Sequence, residues 1–114
     1  MKKDCVLLVT SKGIGKGEEK LGVKLLASYF HVLDEGVELP THILFMHEGV
    51  KLVAEDTPVL SVLQNIVAKG VEIISCGTCL DYFNIKDQVK VGKIGNMYET
   101  KDILAGAGKV INLG

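Results

Sequence analysis

The segment Cys5-Val-Leu-Leu-Val-Thr10 is apolar at every interior position, without the alternation that marks a strand with one face in water. A short run of this kind has to be buried on both faces. Parallel sheets covered by helices provide that environment. The rest of the chain fits such a sheet, because β-rich runs alternate with helical patterns. Thr41–Met46 and Val71–Ser75 read as further strands, with a short one over Lys93–Asn96 and a last one over Lys109–Asn112.

Between them, Glu18–Leu33 carries Leu21, Leu25, Tyr29, Val32 and Leu26, Phe30, Leu33 at helical spacing, with Glu18 and Glu19 in the first turn. Gly36 is expected just past its end. Asp56-Thr-Pro58 reads as the start of a second helix, with a capping side chain ahead of proline at the first helical position. Val59, Leu60, Val62, Leu63, Ile66 and Val67 give its apolar face and Gly70 its end. One or two short helices are expected over Cys79–Val89, and another over Thr100–Ala105. The connection Glu48–Asp56 has no firm pattern. With 114 residues, one domain over 1–114 accounts for the whole chain.

Charge and composition exclude several function classes. Thirteen basic residues, all Lys, stand against 14 acidic ones, for a net charge of −1. That balance speaks against a nucleic-acid partner or an anionic membrane surface, and no guanidinium is present to clamp phosphate. With no Trp and only three Tyr and three Phe, a base-stacking platform is not expected. No run approaches the roughly 20 apolar residues of a membrane span, and no secretory leader is readable, so the expected compartment is the cytoplasm.

Open α/β sheets hold ligands beyond the carboxyl ends of their strands. Those ends carry Ser11–Gly17, His47–Gly49, Cys76–Cys79 and Asn96–Tyr98. Gly13-Ile-Gly-Lys-Gly17 matches neither phosphate-binding pattern, since no Ser or Thr follows Lys16 as required and Glu18 stands where a third glycine belongs. Cys76-Gly-Thr-Cys79 is the stretch with chemistry in it. In a reducing compartment a tight pair of cysteines reads as redox or sulfur chemistry or as metal ligation. Cys76 falls at a strand end. Thr78 is placed to cap the next helix, putting Cys79 in its first turn. There, free backbone N–H groups would lower its pKa from about 8.5 into the range of roughly 3.5–7.5. His47, at the neighbouring strand end, is a candidate hydrogen-bond donor or base toward the thiols, or else a solvated loop histidine. Cys76, Cys79 and His47 would make a three-ligand metal set, but no fourth ligand suggests itself, and neither metal nor organic cofactor is expected. Cys5, at the other end of the sheet, reads as a small buried hydrophobe.

These motifs carry a family resemblance. Gly15-Lys-Gly-Glu-Glu-Lys-Leu-Gly22, Leu39-Pro40, His47-Glu-Gly-Val-Lys-Leu52, Gly70-Val-Glu-Ile-Ile-Ser-Cys-Gly-Thr-Cys-Leu-Asp81 and Gly95-Asn-Met-Tyr98 together resemble the DsrE-like sulfurtransferase family, over almost the whole chain. Within it they look most like the YedF-like branch associated with selenium metabolism. The resemblance implies a three-layer α/β/α fold on a five-stranded parallel sheet, ordered 4-3-2-1-5. It implies homo- or hetero-oligomers that carry sulfur as a cysteine persulfide. The family's reactive cysteine corresponds to Cys79, and Cys76 to an extra cysteine of that branch. The family commonly has Asn where this chain has His47. The expected function is a sulfur, or selenium, carrier or transferase. Cys79 takes up sulfane sulfur, Cys76 resolves the persulfide, and Thr78, Gly49, Asn96, Tyr98 and His47 surround the substrate. Its partners would be a sulfur donor or acceptor protein or a small thiol. The alternatives are a dithiol–disulfide oxidoreductase and a binding or assembly module without turnover. The broad apolar faces of the first two helices, with Val50, Leu52 and Val53 in the connection between, lead to the expectation of a homo-oligomer.

Overall fold

The computed structural model describes residues 4–114. Five strands form one all-parallel sheet: β1 (Cys5–Val9), β2 (His42–Phe45), β3 (Glu72–Cys76), β4 (Lys93–Gly95) and β5 (Lys109–Leu113), in the order β4-β3-β2-β1-β5. The order is the one the family resemblance implies. As the uninterrupted apolar run required, β1 lies inside the sheet between β2 and β5, with Val6, Leu7 and Val9 at most 1% exposed.

Crossover handedness divides the helices between the faces. The connections through α1 (Glu19–Glu35), α2 (Leu60–Ala68) and α3 (Gly77–Tyr82) all advance the sheet in one direction, whereas α4 (Met97–Gly106) returns the chain past three strands to β5. Right-handed crossovers therefore put the first three on one face and α4 on the other. The cores agree. Leu7, Val9, Ile43, Phe45 and Ile73 of the sheet pack with Leu26 and Phe30 of α1 and Leu63 and Ile66 of α2. On the reverse face a smaller cluster forms, in which Val6, Leu44 and Ile74 pack with Leu8, Ile103, Leu104 and Ala107. There a row of polar side chains ties the start of α4 to the sheet. The Glu72 carboxylate lies 3.0 Å from His42 and 3.7 Å from Lys93, and Lys93 reaches Glu99 at 3.0 Å.

The structure departs from the sequence reading in several places. Asp56 does not cap α2. Its carboxylate is drawn to the Lys90 ammonium at 2.8 Å, Thr57–Val59 turn, and α2 begins at Leu60 with Val59 ahead of it. The unassigned connection is a 3-10 helix over His47–Val53, with Val50, Leu52 and Val53 buried in the main core, so these residues add no exposed apolar surface. The glycine-rich loop folds back on α1. Ile14 N–H donates to the Gly22 carbonyl at 3.0 Å, and a Cβ at Gly13 would come within 2.5 Å of the Gly22 carbonyl carbon.

What fixes the region beyond β2 is a close approach of backbone to backbone. Met46 N–H donates to the Val9 carbonyl at 3.0 Å, and Gly49 N–H donates to the Met46 carbonyl at 2.9 Å. A Cβ at Gly49 would run into the Val9 carbonyl group, so only glycine lets the 3-10 helix sit against the end of β1. Gly49→Ala is expected to destabilise the fold by about 1–3 kcal/mol, the range for overpacking a closed site. Urea unfolding checks this: the midpoint falls while the m-value stays the same. An unchanged midpoint would show that the approach is not constraining.

Candidate functional site

The carboxyl ends of β2 and β3 are adjacent in the sheet, and the loops that leave them build the site. Cys76 is the last residue of β3, paired with Gly95 of β4 and 6% exposed. It also stands as the N-cap of α3, so Thr78, expected to cap, is an exposed residue within the helix instead. The strand passes into the helix without an intervening turn, which moves the cap back to the strand's last residue. Cys79 then occupies the third helical position, half-buried, with Cys76 beside it; both thiols are free.

From the other side comes the 3-10 helix. Its first residue, His47, has a φ of 52°, and its backbone N–H donates to Cys79 Sγ at 3.2 Å. Here His47 is the expected donor to the thiols, but through its peptide; its imidazole is exposed. Around Cys79 lies a mostly apolar depression of about 420 Å³, lined by His47, Glu48, Thr78, Cys79, Tyr82 and Phe83. Its carboxylate, Glu48, is paired with Lys51 at 3.3 Å, and the same ammonium sits 4.5 Å above the Phe83 ring. Tyr82 and Phe83 meet edge to face with centroids 5.3 Å apart, and Tyr82 is 84% exposed.

The other expected site residues lie outside this depression. Gly49 is buried against β1. Asn96 caps α4, its Oδ1 accepting the Glu99 N–H at 2.9 Å, and Tyr98 stands 85% exposed in that helix. Tyr82, Phe83 and Glu48, by contrast, were not singled out from the sequence. The signal for the first two was available: they follow Cys79 by three and four residues, the spacing that puts side chains on one helical face. Among the described residues no group of three or more His, Cys, Asp or Glu is gathered to hold a metal. Cys5 is half-buried at the amino end of β1, at the opposite end of the sheet from the pair.

Burial is the largest influence on the Cys79 thiol and pushes its pKa above the ordinary cysteine value; the His47 N–H pulls it down, and the Cys76 thiol pushes it up again. This corrects the expected lowering. Desolvation of the half-buried thiolate outweighs the one backbone donor that reaches it. The alkylation rate of Cys79 should therefore climb through the alkaline range, with a midpoint above that of a free cysteine thiol. Cys76→Ser should bring the midpoint down, because it removes the adjacent thiol that raises it. Site-resolved mass spectrometry of iodoacetamide-labelled peptides measures both. A wild-type midpoint below neutrality would contradict the assignment.

Comparison with known proteins places this geometry. Among curated proteins, none matches the sequence. Solved structures share the fold over nearly their full length: YchN from E. coli (TM-score 0.71, 16% identity, 96% of this chain and 99% of that one), MTH1491 from Methanobacterium thermoautotrophicum (0.69, 13%, 97% and 99%) and BT1422 from Bacteroides thetaiotaomicron (0.64, 18%, 96% and 95%). The last two are described as proteins of unknown function. The model of the DsrE/DsrF-like family matches residues 3–113. With that match across the parallel sheet and the thiol pair at its carboxyl end, the chain belongs to the DsrE/DsrF-like family, which is linked to sulfur transfer.

Proposed function

We propose that this protein is a sulfur carrier or transferase in which Cys79 holds sulfane sulfur as a persulfide. The observation that carries the reading is the half-buried Cys79 Sγ at the floor of an open depression, with a backbone donor on one side and a second thiol on the other. In the loading step the Cys79 thiolate attacks the outer sulfur of a donor persulfide. A Cys79–S–S⁻ group forms and the donor leaves as a thiol. In the unloading step an acceptor thiolate attacks the outer sulfur and Cys79 leaves as the thiolate, with the His47 N–H stabilising its charge. The alternative exit uses Cys76: its thiolate attacks Cys79 Sγ, hydrosulfide leaves, and a Cys76–Cys79 disulfide remains for an external thiol to reduce.

The raised thiol pKa suits a carrier. A persulfide extends the side chain by one S–S bond of about 2.05 Å, which takes the negative charge from the desolvated floor toward the open depression. Selenium, larger and more polarisable than sulfur, fits the same exchange, in keeping with the resemblance to the YedF-like branch associated with selenium metabolism. The partners are a donor or acceptor protein or a small thiol, and the compartment is the cytoplasm. No helix among the described residues is long and apolar enough to cross a membrane. A dithiol oxidoreductase is the second reading, favoured by the adjacency of the two free thiols. Turnover in an insulin-reduction assay without any sulfane-sulfur uptake would favour it over carriage.

Incubation with a sulfane-sulfur donor followed by intact mass measurement tests the carrier. Wild type and Cys76→Ser should gain about 32 Da, the mass of one sulfur, and Cys79→Ser should not. If the adduct survives in Cys79→Ser and vanishes in Cys76→Ser, the roles are reversed.

The protein is also proposed to self-associate, on narrower grounds than the sequence offered. Leu21, Leu25 and Val32, 55%, 46% and 63% exposed, lie on the flank of α1 away from Val23 and Ala27, which face the Leu52–Val59 side. Light scattering at tens of micromolar should show more than one copy, and Leu25→Lys should shift the mass toward the monomer. A monomeric wild type contradicts this.

A further inference from the structure

We propose that position 47 serves the reactive sulfur through its backbone. The residue there has to hold a left-handed conformation so that its N–H reaches Cys79 Sγ, and the imidazole is not the working group. The inference rests on Cys79 being the reactive sulfur, but not on what Cys79 carries.

The chain is held on both sides of this residue. Before it, Met46 is extended (φ −137°, ψ 167°) and tied to β1 through its N–H on the Val9 carbonyl at 3.0 Å. After it, Gly49 is pressed against that same carbonyl group and returns its N–H to Met46 at 2.9 Å. Strand β2 therefore cannot continue, and the 3-10 helix cannot move away. Between two fixed points the direction of the His47 N–H depends on the Met46 ψ and the His47 φ. The observed φ of 52° is the one that accompanies the 3.2 Å contact with sulfur.

A left-handed backbone is costly for a side chain branched at Cβ. It is open to glycine, and Asn, Asp and His are the side chains enriched there. Among the described residues one other non-glycine residue has positive φ, Asn84. The imidazole of His47 is exposed and makes no hydrogen bond or ion pair among the described residues. The surrounding structure over-determines the conformation, as it does where strain serves a site. His47 is in this sense a positioning residue: its side chain is selected for the backbone geometry it tolerates.

The test compares His47→Asn, His47→Gly, His47→Ala and His47→Val in the full chain. Iodoacetamide labelling at Cys79 is followed by site-resolved mass spectrometry from pH 6 to 10. At pH 8 the asparagine and glycine variants should label Cys79 about tenfold faster than the valine variant, the ratio that corresponds to the left-handed penalty of a branched side chain. The valine midpoint should lie above the asparagine one, with alanine between. The asparagine profile should follow the wild-type one across this range, since the backbone donor survives the loss of the imidazole. Two results overturn the proposal. One is a common shift in all four variants relative to wild type, which would make the imidazole the working group. The other is a valine midpoint equal to that of asparagine, which would uncouple the backbone from the sulfur. If circular dichroism shows that the valine variant does not fold, the alanine variant is compared with glycine by the same criteria. Alkylation needs no sulfur donor, so a chain that failed to carry sulfur would still give this ordering.

Discussion

Val9, the last residue of β1, accepts the Met46 N–H at 3.0 Å, and its carbonyl group leaves no space for a side chain at Gly49. These two contacts stop β2 at Phe45 and fold His47–Val53 into a 3-10 helix against the sheet end. The buried Val50, Leu52 and Val53 then fasten that helix into the main core. Because β2 lies between β1 and β3, the turn at His47 stands beside the end of β3, where Cys76 and Cys79 begin α3. The site is thus assembled from two neighbouring strand ends, and its precision comes from β1, which contributes no side chain to it.

The electrostatics of Cys79 balance opposing effects of similar kind. Partial burial disfavours the thiolate, the His47 N–H favours it, and the nearby Cys76 thiol disfavours it again. A fully exposed cysteine would lose the backbone donor and the second thiol; a fully buried one would meet no partner. The half-buried position keeps the sulfur within reach of both and open to the depression beside it. The aromatic rim formed by Tyr82 and Phe83 supplies the apolar part of the opening, and the Lys51 ammonium over Phe83 sets a positive charge beside it.

The sequence was most legible where one physical demand dominated. Uniform apolar runs required strands buried on both faces, and their alternation with helices required a parallel sheet. Cys76 could be put at a strand end because Gly77 follows an apolar run. Legibility failed where polar side chains had more than one suitor. Asp56 reads as a cap but binds Lys90, which is distant in sequence, and Asn96 reads as a ligand contact but caps α4. Thr78 lost its capping role when strand and helix abutted without a turn. The broad apolar surface inferred around Val50 disappeared for a related reason: without a period to follow, a short 3-10 helix cannot be told from a loop. His47 is the most instructive position. Its proximity to the thiols followed from topology alone, but its role depends on φ, which sequence pattern does not report.

The claim on which the account stands is that Cys79, held by the His47 N–H, is the atom that receives sulfur. The most direct measurement is the backbone amide spectrum of isotope-labelled protein, recorded while a sulfane-sulfur donor is added and then removed with a thiol reductant. The His47 amide resonance should shift with loading and return on reduction, since its hydrogen-bond acceptor is the sulfur being modified. If sulfur is taken up while that resonance stays in place and the amides around Cys5 move instead, the site is elsewhere and the account is wrong.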